Sequence, residues 1–213
     1  MSAGQITPAP WNLHGMGIMH FFWGPKRIDP FSGEEVSGLG GFIIARYDSS
    51  PVGPYNELLY IPGKHKIDGK SAYYISKIYV DSMDSVVSGQ ANWGIPKELA
   101  QIDIDTSDNQ IFVNASIDQK SFFQATIKSG GLKFPITTKL VPIPLYQDWE
   151  GAYYYTSFDG AGKGQLGKTN LTEVDSQLFA DTRKFRSLAT IVVNPFRLTF
   201  PLSAIKRHDL TIL

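Results

Sequence analysis

Three consecutive runs in the middle of the chain, residues 100–106, 110–117 and 122–128, alternate apolar and polar side chains. Polar breaks at Ser107-Asp108-Asn109 and Asp118-Gln119-Lys120 separate them. A period of two sends every second side chain to one face, so these runs predict an antiparallel meander with one buried face. Similar patterns at 17–23, 41–47, 55–61, 73–80, 188–193 and 197–200, with another starting at Tyr153, predict further strands. Residues 25–40 and 49–54 are rich in turn formers, and 63–70 reads as a basic hairpin loop. Residues 134–147 carry prolines at 135, 142 and 144, which confine the segment to a sheet edge or a loop crossing.

One helix is predicted at 172–183. Asn170 or Thr172 would cap it, Glu173 and Asp175 would sit in its first turn, and Val174, Leu178 and Phe179 would share a face. Between strands, the glycine-rich stretch 160–167 contains a GxGxxG spacing from Gly162. No strand–helix–strand unit surrounds it, so it reads as a turn and not as a dinucleotide site. The pattern adds up to roughly nine or ten strands and one or two helices in a single domain, residues 1–213: a mainly β fold. Periodicity does not distinguish a barrel from a sandwich.

Composition narrows the function classes. The 213 residues are 42% hydrophobic and 13% aromatic, as expected of a folded globule. Twenty basic and twenty acidic side chains cancel, leaving no electrostatic reason to bind nucleic acid or an anionic membrane. With no cysteine, disulfides, zinc–thiolate sites and thiol catalysis are excluded, and neither metal nor cofactor is expected. The first ten residues carry no leader pattern, and no apolar run approaches the roughly 18 residues of a spanning helix. A soluble, cytoplasmic protein is the expectation.

The chemistry concentrates at residues 89–100, Gly-Gln-Ala-Asn-Trp-Gly-Ile-Pro-Lys-Glu-Leu-Ala. Lys97 follows a proline, which stiffens the backbone, and Trp93, Ile95 and Leu99 flank it. Desolvation disfavours an ammonium ion, so a lysine in such surroundings can serve as an amine nucleophile. Glu57 lies inside the apolar run 55–61, where a carboxylate needs a cation or a donor. His14 and His20 fall in an apolar, glycine-punctuated stretch and read first as core residues.

The block 89–100, with Pro96-Lys97 inside it, resembles the active-site segment of the acetoacetate decarboxylase family. Tyr55-Asn56-Glu57 stands forty residues before Lys97, which matches the family's Tyr-x-Glu spacing, and residues 197–202 resemble its closing strand. The resemblance implies an antiparallel closed or nearly closed β-barrel with a reactive lysine inside and assembly into homo-oligomers. It further implies a Schiff base between Lys97 and a small-molecule carbonyl substrate, with Glu57 handling protons. His14, Tyr55, Gln90, Trp93 and Glu98 are the expected substrate-binding residues, and Phe21, Trp23, Phe134 and Tyr155 further lining. Three departures stand out. Glu98 replaces the family's second lysine, Gln90-Ala91 replaces Arg-Glu, and no arginine occurs near residues 12–14. The implied activity is a lyase acting on a β-keto acid or a related, larger apolar carbonyl compound. The alternatives are a cyclase or isomerase using the same cavity without an imine, and a non-catalytic small-molecule-binding barrel.

Overall fold

The computed structural model describes residues 4–67, 69–140 and 144–208. Its elements are β1 (Trp11–Ile28), β2 (Glu35–Ser49), β3 (Tyr55–Ile61), β4 (Lys64–Ile67), β5 (Lys70–Tyr73), β6 (Lys77–Val80), the helix α1 (Met83–Trp93) and β7 (Lys97–Leu99). The chain continues through β8 (Gln101–Ser107), β9 (Gln110–Ile117), β10 (Lys120–Ser129), β11 (Phe134–Thr137), β12 (Leu145–Trp149), β13 (Ala152–Thr156), β14 (Asp159–Val174), β15 (Arg186–Phe200) and β16 (Ala204–Arg207). All the described strands belong to one mixed sheet.

The sheet forks at β2. Its second half pairs with β3, from Gly41 opposite Ile61 to Tyr47 opposite Tyr55, while Ser37 in its first half meets Lys64 of β4. From β2 one path runs through β1, β15, β14, β10 and β9 to β8, and another runs through β3 and β6 to β7. Because β7 leads directly into β8, the two paths end on one continuous stretch of backbone. Ala100 donates to Val80 O (3.0 Å) and Asn56 Nδ2 donates to Ile102 O (2.9 Å) across that seam. The barrel is therefore nearly closed, joined by the chain itself and not by a complete ladder.

Side chains alternate between two buried layers. One contains Ile18, Phe22, Phe42, Leu58, Tyr79 and Phe123. The other contains Leu13, Tyr47, Tyr55, Ile78 and Val80, and α1 packs on it through Val86 and Trp93.

The meander at 100–128 forms as the alternation predicts. The predicted helix at 172–183 does not: β14 runs to Val174, and a 3₁₀ turn occupies Thr182–Lys184. Asn170 and Thr172, the expected caps, lie within β14, and two aspartates beyond it close turns. Gln177 N–H donates to Asp175 Oδ1, and Arg183 N–H to Asp181 Oδ1. Phe179 between them is fully buried, so the segment packs into the first layer. The helix lies instead at Met83–Trp93, where the hydrophobic pattern predicts no element. Ser82 caps it by accepting from Ser85 N–H, Asp84 sits in its first turn, and Gly94 ends it at φ 61°.

The glycine-rich stretch 160–167 is the interior of β14, not a turn. Its glycines allow close packing, since a Cβ on Gly162 would lie 2.5 Å from the Val193 side chain. The turn-rich 25–40 segment is mostly strand, with β1 reaching Ile28 and β2 starting at Glu35. In the stretch expected as a basic hairpin loop, β4 pairs antiparallel with β5, from Lys64 opposite Tyr73 to Ile67 opposite Lys70. Within 134–147, β11 and β12 flank residues 141–143, which lie outside the described residues, as do 1–3 and 209–213 at the ends of the expected domain. No described helix is long and apolar enough to cross a membrane.

Candidate active site

Three short strands and one helix place the reactive groups. In β3 the period of two puts Tyr55, Glu57 and Leu59 on the face that α1 covers. Antiparallel pairing sets Glu57 opposite Val80, and parallel pairing sets Ile78 opposite Lys97. Glu57 and Lys97 thus share that face. Lys97 Nζ lies 2.9 Å from Glu57 Oε2 and 3.0 Å from Ser85 Oγ, and 5.3 Å from the centroid of the Tyr55 ring. The other carboxylate oxygen, Glu57 Oε1, accepts from the Tyr47 hydroxyl at 3.0 Å. Both ion-pair side chains are almost fully buried, at 5% and 7% exposure.

Helix α1 supplies the roof. Ser85 and Gly89 are one turn apart on the same helix face, and both are buried. A Cβ on Gly89 would lie 2.6 Å from Lys97 Cδ and 2.8 Å from Cε, so the lysine stem crosses the helix where only hydrogen fits. From the next residue, Gln90 Nε2 donates to Lys97 O at 2.9 Å and ties β7 to the helix.

A buried ion pair is costly unless its remaining hydrogen-bonding capacity is used. Here the carboxylate takes one donor on each oxygen, and the ammonium has a hydroxyl and an aromatic face besides its counter-ion. Burial raises the pKa of Tyr47 and of Tyr55 well above the usual phenol range, and the charge on Glu57 adds to this. Both phenols therefore remain protonated, which lets Tyr47 donate to the carboxylate.

Of the residues expected from sequence, Lys97, Glu57 and Tyr55 come together. Gln90 is adjacent but spends its amide on backbone. Trp93 forms part of the wall: its indole N–H donates to Pro201 O at 2.7 Å, and its ring meets Trp11 edge-on. Glu98 leaves the site altogether. Successive residues of β7 point to opposite faces, so Glu98 turns away from Lys97 and pairs with Lys77. His14 is exposed on β1, opposite Arg197 and Ser49 in register.

The further lining residues also lie elsewhere. Trp23 is exposed and borders an open groove of about 690 Å³ together with Lys26, Glu34, His65 and Tyr73. Phe21 stands opposite Gly41 and Ala189, Phe134 lies over Gly164, and Tyr155 packs edge-on against Tyr146. His20 is a core residue: its Nδ1 lies 3.0 Å from Thr190 Oγ1, its ring stacks on Phe42, and burial lowers its pKa. Among the described residues there is no cluster of three His, Asp or Glu side chains suited to a metal ion. Sequence reasoning missed Ser85, Tyr47 and the role of Gly89. Tyr47 was open to detection through strand pairing, because it stands opposite Tyr55.

The family model for acetoacetate decarboxylase (ADC) matches residues 25–176, well over half of the chain and the whole of this site. The chain belongs to the acetoacetate decarboxylase family. Solved ADC-family structures share its fold. The acetoacetate decarboxylase of Legionella pneumophila superposes with a TM-score of 0.72 at 14% identity, covering 99% of this chain and 92% of that one. An acetoacetate decarboxylase-like enzyme from Sphingomonas wittichii RW1 gives 0.70 at 11% identity, with 95% of each chain covered. Among curated proteins, Protein NEOXANTHIN-DEFICIENT 1 of rice (Oryza sativa subsp. japonica) is 31% identical over 81 residues. That match spans 37% of this chain and 27% of the rice protein.

Proposed function

We propose that this ADC-family chain is an enzyme of carbonyl chemistry in which Lys97 forms an imine with its substrate and Glu57 moves the protons. The observation that carries this reading is the buried Nζ held 2.9 Å from a carboxylate that lies on the same sheet face. An amine bonds to carbon only after losing a proton, and Glu57 is placed to receive it. The freed Nζ then attacks the carbonyl carbon, and the proton returns from Glu57 to the developing hydroxyl. A second proton from nitrogen completes a water molecule, and the nitrogen lone pair closes the C=N bond. The ammonium and the carbonyl compound are thereby converted to a protonated imine and one water. The imine draws electrons from the neighbouring carbon, which permits carbon–carbon cleavage, decarboxylation included, or removal of a proton by Glu57.

A second reading keeps the pair but forms no covalent bond, giving a cyclase or isomerase. Two observations favour it: Lys97 is only 4% exposed, and the name of the rice relative ties that protein to neoxanthin. Reductive trapping decides between them. Cyanoborohydride with a panel of ketones and aldehydes is expected to leave a mass increase on the peptide containing Lys97. Turnover that survives without any adduct, and that is lost in Lys97→Met, would establish the non-covalent reading. Binding without turnover would leave the barrel as a binding module. The homo-oligomer implied by the family resemblance is tested separately by light scattering.

A further inference from the structure

We propose that the carbonyl compound taken by Lys97 is uncharged, so that this site is not built for a keto acid; this rests on the imine chemistry proposed above. A substrate carboxylate beside the imine would need a cation or a set of donors to replace its water. Among the described residues Lys97 is the sole buried lysine or arginine, and Glu57 already matches its charge. Once Lys97 becomes an imine, the same two charges remain, so the centre is neutral before and after.

Among the described residues no other lysine or arginine is aimed at it. The half-buried cations are Arg27, Arg46 and Lys77. Arg46 stands opposite Asn56, so it projects to the face away from Glu57, and it pairs with Asp48. Lys77 projects to that same far face and is held by Glu98. Arg27 donates to Pro62 O and Tyr60 Oη and lies over the Phe185 ring. The remaining described lysines and arginines are exposed.

Besides Glu57, the groups around the pair are neutral: the Ser85 hydroxyl and the Tyr55 ring at the amine and the Tyr47 phenol on the carboxylate, within an apolar shell that includes Val86, Trp93 and Ile95. Hydroxyls suit a carbonyl or alcohol oxygen, and apolar walls suit a hydrocarbon skeleton. Beyond these hydroxyls, a substrate carboxylate would meet the charge of Glu57 and no further lysine or arginine among the described residues.

The test compares acetoacetate with its methyl ester, two probes of one skeleton that differ in charge. Each is incubated with the full chain and cyanoborohydride at neutral pH. Labelling of Lys97 is followed by peptide mass, and rates are normalised to those of free N-acetyl-lysine. The ester is expected to label about ten- to a thousandfold faster, the range over which one charge a few ångströms away displaces an ionisation equilibrium. In Glu57→Gln the preference is expected to fall towards parity, with thermal melting used to verify folding. Labelling by acetoacetate as fast as by the ester overturns the inference and leaves the imine intact. An unchanged preference in folded Glu57→Gln overturns the charge argument. No adduct from either probe overturns the imine reading and this inference with it.

Discussion

Two lysine–glutamate pairs occupy opposite faces of β7, and they are not equivalent. Lys97 and Glu57 meet at 2.9 Å with side chains 5% and 7% exposed, whereas Lys77 and Glu98 meet at 2.5 Å with 16% and 51% exposure. The shorter contact is the less consequential one. Water screens the outer pair and would solvate either partner left alone, while the inner pair has no solvent to fall back on. Separation therefore says little about what an ion pair does; the medium around it decides. The inner pair sits in a dry space, and the outer pair ties β6 to β7 at the surface.

The comparison is broken if the two pairs respond alike to mutation. Removing one inner partner, by Lys97→Met or Glu57→Leu, should destabilise the fold by about 3–5 kcal/mol, because the other charge is left buried and alone. Chemical denaturation measures this, and the double variant should recover most of the loss. Next comes Ser85→Ala, which deletes a hydroxyl bonded to the ammonium. A cost of about 1.5–3 kcal/mol and slower trapping of Lys97 are expected. Gly89→Ala should cost about 1–2 kcal/mol net, since crowding against the lysine stem is partly offset by alanine's helix preference. Its sharper effect is a displaced amine, visible as lost trapping in a protein that still melts cooperatively. The smallest effect belongs to Glu98→Lys, which installs the basic residue absent from this position. Stability should change by no more than about 1 kcal/mol and trapping should be unaltered, because that side chain faces outward. A large change in trapping would mean that the two faces communicate.

Legibility in the sequence followed the length of the repeating pattern. The meander at 100–128 could be read because each strand buries one face and exposes the other, which the alternation records directly. Helix α1 escaped because its eleven residues include Ser85, Ser88, Gly89, Gln90 and Asn92, and so present no continuous apolar stripe. Its signals were local ones, a serine cap and a terminal glycine. The segment 172–183 misled for the converse reason: acidic residues near its start and a spaced Val174, Leu178 and Phe179 serve turns around a buried phenylalanine as readily as a helix. In the site, Lys97 and Glu57 were visible as a spaced motif. Ser85 was not, because its approach depends on where α1 packs. Glu98 could have been resolved from the sequence alone, since any strand through 97–99 must send neighbouring side chains to opposite faces.

That alternation has a consequence for how the gene can drift. Between the left-handed Gly94 and the end of β7, what faces inward is fixed by counting positions, not by letters. Exchanging Glu98 for another polar residue alters a surface. Deleting one codon between Gly94 and Lys97 would instead rotate the strand's content by one place and bring Glu98 inside, beside Glu57. Frame-preserving changes of length in this stretch should therefore be purged where simple replacements at 98 accumulate.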